Sequence, residues 1–232
     1  MQAYVINLSV RTDRWDSVLS QWRFETIPLN RVEAIDSDSI PRTQTVFLPA
    51  PVVANWRSQC QAYREFLSTN DSHALILEDD FLLRRINLSS VIKQFQSQNF
   101  DFLQLGYLNN SYSDYFYVWI SNLRDLSLKI LNRTTASNFF LRQPSKKLLV
   151  SEQAQVPFSI VLNDARAGAH AYLISRKFAE FMLTINEPTF LATDGLFIAI
   201  ANLRFLKMGR LRSNWVRQSD SPSSITSRFI GD

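Results

Sequence analysis

The sequence predicts an α/β fold with a mostly parallel sheet flanked by helices. Three observations carry that prediction. From residue 4 to residue 106, short apolar runs alternate with stretches of helical periodicity in the order β, α, β, α, β, α, β. The run from Ala74 to Leu77 is apolar without interruption, as a strand covered on both faces must be. The 232 residues are 46% hydrophobic and 20% charged, which supplies one sizeable core. One domain over 1–232 is therefore expected, with residues 107–167 as the segment that local pattern does not assign.

In chain order, Tyr4 to Leu8 reads as a strand, and Thr12 or Asp13 as the cap of a helix carrying Trp15, Val18, Leu19 and Trp22. A second strand, Asn30 to Ile35, ends in Asp36. Ser37 to Pro51 is rich in Ser, Thr and Pro and reads as a loop. Trp56, Cys60, Tyr63 and Leu67 recur at helical spacing, so a helix from Val53 to Leu67 leads through the turn Ser68 to Ser72 into the apolar strand. A helix from near Ser89 precedes the strand Phe102 to Leu105, which Gly106 closes. The stretch from Tyr107 to Trp119 is dense in Tyr, Asn and Ser, suited to ordinary packing or to sugar stacking. Lys147 to Val150 is β-like. Gly168 to Ser175 returns to a strand, Arg176 to Ile185 to a helix, and Thr193 and Asp194 head an apolar helix running to Leu206. Basic residues Lys207, Arg210 and Arg212 follow, then a polar tail expected to be extended.

Composition narrows the partners. A net charge of +4 and a pI near 9.3 fit an anionic ligand or an anionic membrane surface. The Lys and Arg residues are scattered and no nucleic-acid signature is present, so no nucleic-acid partner is expected. Cys60 is the only cysteine, which excludes an internal disulfide and a cysteine-based zinc site and favours a reducing, cytoplasmic setting. No apolar run reaches about 18 residues, and the N-terminus enters a strand pattern without a signal-peptide profile. The sequons at Asn87, Asn109 and Asn132 are read as chance.

Chemistry concentrates at Glu78, Asp79 and Asp80, which follow the apolar strand without a spacer. Strand alternation puts Glu78 and Asp80 on one side and Asp79 on the other. Converging carboxylates repel one another and are costly to desolvate, so they call for a cation or a helix N-terminus. A hard divalent ion shared with substrate phosphates meets that need. A solvated acidic turn is the alternative.

Several segments, in this order, resemble glycosyltransferase family 25, the bacterial lipooligosaccharide glycosyltransferases and their collagen galactosyltransferase relatives. They are YVINLSVRTDRW at 4–15, VEAIDS at 32–37, ANWRSQCQAYREFL at 54–67, ALILEDD at 74–80, FDFLQLG at 100–106 and GAHAYLISRKFAEFM at 168–182. The resemblance implies a GT-A type (Rossmann-like) fold, a nucleotide-sugar donor (often UDP-galactose), Mn²⁺ or Mg²⁺, and inverting transfer to an acceptor hydroxyl. It sets Glu78, Asp79 and Asp80 at the family's Asp-x-Asp-like motif, with Asp80 holding the metal and Glu78 as second contact; His170 is a candidate further metal or phosphate contact, with a satisfied structural histidine as the competing reading. Asp79 and Ser58 then belong to the donor site.

Asn7, Arg11 and Arg14 lie where a strand gives way to a helix, suited to an anion or nucleotide; a solvated basic helix face is the competing reading, favoured for Arg11. Asp36 suits uracil or ribose, or an ordinary turn. Gln218 resembles a polar block that closes over the donor. Asp194, in PTFLATDGLF, resembles the family's Pro-x-Asp region and is the candidate general base; a helix cap is the competing role. The sequence departs from the pattern at Gln59, where His follows Ser in the family, and at Ala169, where Thr or Ser is expected.

The function so implied is an inverting, metal-dependent glycosyltransferase moving a sugar from a UDP-sugar to a hydroxyl of a glycan, lipid-linked glycan or peptide, with a peripheral membrane contact compatible with the charge. The alternative is a non-catalytic member that binds a nucleotide, glycan or protein partner.

Overall fold

A computed structural model describes residues 1–23, 25–45, 47–83, 87–108, 148–149, 159–201 and 203–219. The strands are β1 (Gln2–Asn7), β2 (Leu29–Glu33), β3 (His73–Glu78), β4 (Phe81–Leu83), β5 (Phe102–Gly106), β6 (Leu148–Leu149), β7 (Ile160–Leu162), β8 (Ala171–Ser175), β9 (Met208–Leu211) and β10 (Val216–Gln218). The helices are α1 (Thr12–Trp22), α2 (Ala50–Leu67), α3 (Leu88–Ser97), α4 (Arg176–Met182) and α5 (Thr193–Ala201).

Among the described residues, eight strands form one sheet in the order β2-β1-β3-β8-β5-β9-β7-β6. Six of them run in one direction, so the sheet is mostly parallel; β8 and β7 are reversed. β1, β2, β3 and β5 are the strands of the predicted alternation. β8 enters antiparallel between β3 and β5, pairing Leu75 with Leu173 on one side and Leu103 with Leu173 on the other.

Side-chain alternation along each strand divides the core between two faces. Tyr4, Ile6, Ala74, Ile76, Tyr172 and Ile174 pack with α2, α4 and α5 residues such as Trp56, Tyr63, Phe178 and Phe197. Ala3, Val5, Leu75, Leu77, Leu103 and Leu173 pack with α1 and α3 residues including Val18, Trp22, Val91 and Phe95. The result is a three-layer arrangement of helices, sheet and helices. Among the described residues no helix is long and apolar enough to cross a membrane.

Several boundaries differ from expectation. α1 has Arg11 rather than Thr12 or Asp13 at its cap position, with no side-chain capping bond. α2 begins at Ala50, because Pro51 in the first turn loses no helical hydrogen bond. The loop before it holds two short 3-10 turns, at Ser37–Ser39 and Arg42–Gln44. α5 stops at Ala201 instead of continuing to Leu206; the basic run is largely strand β9, inserted between β5 and β7. Within the tail, Val216–Gln218 is a strand that pairs antiparallel with β4, itself unpredicted. Asn87 caps α3 by accepting from Ser90 N at 3.1 Å. The sequons at Asn109 and Asn132 and the aromatic stretch beyond Leu108 lie outside the described residues.

Candidate active site

β1, β2 and β3 are parallel, so their carboxyl ends meet at one edge of the sheet, where open α/β folds bind ligands. A cleft of about 320 Å³ lies there. Its walls come from the β1–α1 turn (Leu8, Val10, Arg11, Arg14), the chain after β2 (Ile35, Asp36, Ser37), one side of α2 (Pro51, Ala54, Asn55, Ser58), the end of β3 (Glu78, Asp79, Asp80) and Gln218 of β10.

All three acidic residues line this cleft, but each is held by a different element. Glu78 is the last residue of β3 and keeps the facing of Ala74 and Ile76, toward α2. Its Oε1 accepts from Asn55 Nδ2 at 2.9 Å and from Gln59 Nε2 at 3.0 Å. Asp79 accepts from Arg14 Nη1 at 2.7 Å and from Asn7 Nδ2 at 2.6 Å. Asp80 Oδ2 accepts from Gln218 Nε2 at 2.8 Å, and its carbonyl accepts from Ser219 N at 2.7 Å. The expected pairing of Glu78 with Asp80 on one side, Asp79 opposite, does not extend past Glu78. The strand ends there, and Asp79 and Asp80 belong to the turn into β4.

The remaining predicted residues separate into two groups. Arg11 and Asp36 line the cleft with Arg14; Arg11 is also paired with Asp13 at 2.8 Å, and Asp36 accepts from Asp38 N at 3.0 Å. Ser58 lines it too, but its hydroxyl donates to Ala54 O and accepts from Ile35 N, both at 2.8 Å, which fastens α2 to the end of β2. Asn7, His170 and Asp194 are not among the cleft-lining residues. Buried Asn7 joins Asp79 to Arg31, whose Nη2 donates to its Oδ1 at 2.5 Å.

His170 donates from Nε2 to Val216 O at 3.0 Å, while its buried Nδ1 has no partner among the described residues. Gly106 permits that packing, since a β-carbon there would collide with the imidazole and with the Val216 carbonyl. Asp194 Oδ2 accepts from Gly168 N at 3.1 Å and Oδ1 from Gly195 N at 2.8 Å. It thereby holds a turn in which Gly168 has φ +106°, a conformation that favours glycine.

Asn55 and Arg31 were not singled out from sequence, and Gln59 was singled out only as a departure. A signal was present on α2, since Asn55, Ser58 and Gln59 stand at i, i+3 and i+4 and form a polar stripe on a largely apolar helix.

Burial, followed by the neighbouring Asp80 charge, pushes the Glu78 pKa up to about 8. Asp80 is raised chiefly by burial, against the hydrogen bond from Gln218. Burial lowers the His170 pKa, against the hydrogen bond to the Val216 carbonyl and the Asp80 charge. A carboxyl with a raised pKa binds its proton more tightly when folded than when unfolded. Its stabilising contribution is full below the ordinary glutamate value of about 4.5 and is lost as pH rises toward about 8. The ligand-free protein is therefore expected to lose stability from pH 5 to pH 8, and Glu78→Gln to flatten part of that fall in urea denaturation. An unchanged slope in the variant would remove Glu78 as its source.

The donor set suits a hard cation in one respect that the structure makes visible: Asp80 Oδ1 is buried and has no hydrogen-bond partner among the described residues. Among the described residues no three His, Cys, Asp or Glu side chains form a metal-ligating group. An ion held by one or two carboxylates and by substrate phosphates does not require one. In comparison with known proteins, a family model described as glycosyltransferase family 25 (LPS biosynthesis protein) matches residues 1–197. No curated protein matches the chain.

Proposed function

The chain belongs to glycosyltransferase family 25, and on that premise we propose that it moves a sugar from a UDP-sugar to a hydroxyl of a glycan, lipid-linked glycan or peptide, by inverting displacement with Mn²⁺ or Mg²⁺. The observation that carries this reading is the buried Asp80 Oδ1 just past the end of β3, which has no hydrogen-bond partner among the described residues, in a cleft that Arg11 and Arg14 also line. Asp80, with Glu78, would hold the ion. When bound, a divalent cation neutralises negative charge on a departing diphosphate without proton transfer. Arg11 and Arg14 suit the diphosphate as guanidinium donors, and Asp36 suits the ribose or base. Gln218 orients Asp80, and Asn7 acts through Asp79. A lipid-linked acceptor would bring the protein to an anionic surface, which a net charge of +4 favours.

Displacement also needs a base for the acceptor proton. Asp194 is the candidate: burial raises its pKa, the direction that strengthens a base, against the backbone hydrogen bonds it accepts. In Asp194→Asn, turnover is expected to fall by about 10²–10⁴-fold with little change in nucleotide affinity. Wild-type turnover in that variant would leave Asp194 only the task of holding the Gly168 turn. The proposal as a whole is tested by titrating UDP into the protein calorimetrically, with Mn²⁺ and with chelator, followed by a UDP-sugar panel. Metal-dependent binding supports it; a well-folded protein that binds no UDP under either condition overturns the donor assignment.

A further inference from the structure

We infer that Gln59 is a positioning residue, which locks one oxygen of Glu78 through a buried one-way chain of hydrogen bonds and so turns the other oxygen over to a ligand. Its functional consequence rests on the donor site proposed above; its geometry does not. Gln59 is fully buried, on the α2 face that packs against the sheet. Its Nε2 donates to Glu78 Oε1, which leaves its Oε1 to accept from the Tyr172 hydroxyl. The Tyr172 proton is thereby committed, so the hydroxyl of Tyr63, 2.8 Å away, must donate to Tyr172.

A second arm reaches the same oxygen. Thr193 Oγ1 donates to Asn55 Oδ1 at 2.8 Å, and Asn55 Nδ2 donates to Glu78 Oε1. Each amide has its oxygen occupied by a hydroxyl and its nitrogen turned to Glu78 Oε1. Burial raises both phenols well above their ordinary value, which keeps them protonated donors. Both arms end on Oε1, and among the described residues no donor engages Oε2. Glu78 also lines the cleft.

A network of this kind is more than packing requires. An apolar side chain of similar volume at position 59 would fill the buried space beside Tyr172 without the desolvation cost of an amide. What the amides add is a fixed orientation for one carboxylate, the arrangement by which outer residues tune ligand-binding groups.

The test uses Gln59→Met, which keeps the volume and removes both hydrogen bonds, and Gln59→His, whose neutral ring can accept at one nitrogen and donate at the other. Two readouts are taken: the position of the Glu78 carboxylate in crystals, and UDP affinity in Mn²⁺ by calorimetry. In Gln59→Met the carboxylate is expected to leave its place and affinity to fall about tenfold; Gln59→His is expected to recover most of both. Should Gln59→Met fail to fold, Tyr172→Phe removes a single hydroxyl and is expected to act in the same direction by a smaller factor. An unmoved Glu78, or unchanged affinity, in the folded variant overturns the inference. If the wild-type protein binds no UDP, the donor assignment fails, and the crystallographic position of Glu78 alone decides whether Gln59 positions it.

Discussion

Asp80→Asn is expected to abolish manganese-dependent nucleotide binding and to lower sugar transfer by at least about 10²-fold, while leaving the protein folded. The substitution is close to isosteric, so the turn between β3 and β4 keeps its backbone bond from Ser219 N to the residue 80 carbonyl. The amide oxygen can still accept from Gln218 Nε2. That choice points the amide nitrogen, a donor, to the place where Oδ1 is now buried and, among the described residues, unpartnered. A cation finds a partial positive charge there instead of a negative one. Because burial already disfavours the ionised carboxyl, neutralising it does not weaken the fold. Calorimetry with Mn²⁺ and with chelator, alongside circular dichroism, measures both halves of the prediction. Retention of metal-dependent UDP binding would move the metal away from Asp80.

Arg210→Met is expected to cost about 3–5 kcal/mol of stability, the largest effect foreseen for a residue outside the cleft. Arg210 Nε donates to Asp164 Oδ2 at 3.0 Å, and the two side chains are only 8% and 7% exposed. The guanidinium also donates to Leu211 O at 3.2 Å and lies over the Tyr107 ring at 5.1 Å, while the Tyr107 hydroxyl donates to Arg212 O at 2.8 Å. Removing the cation leaves a carboxylate buried without compensation. Asp164→Asn in the same chain should therefore recover part of the loss. Urea denaturation of the two single variants and the double variant measures the coupling. A loss below about 1 kcal/mol in Arg210→Met would mean that water reaches Asp164.

The same residue shows where sequence reading reached its limit. Arg210 stands in a basic run to which the sequence assigned no element, because local pattern records charge but not the distant carboxylate that permits burial. β9 is only four residues long and alternates little, so nothing in its immediate sequence marks it as a strand inserted between β5 and β7. By contrast, the run before Glu78 was legible because both of its faces are covered by helices, and continuous burial demands continuous apolarity. Eight predicted site residues line one cleft, while Asn7, His170 and Asp194 are not among its lining residues. A residue type and its spacing do not distinguish a group that touches a ligand from one that holds another group in place.

What the sequence determined by itself were features set by neighbours along the chain: the alternation of strand and helix through β5, the three acidic residues at the end of β3, and the polar stripe on α2. The tertiary structure alone decided which distant edges pair. β8 returns antiparallel between β3 and β5, and β10 reaches β4 to bring Gln218 onto Asp80 across 138 residues. The polarity of Gln59 was decided in the same way, by Tyr172 on one side and Glu78 on the other. Backbone preference and hydrophobic period are local properties, whereas a hydrogen bond between remote side chains is selected only when the whole core closes around it.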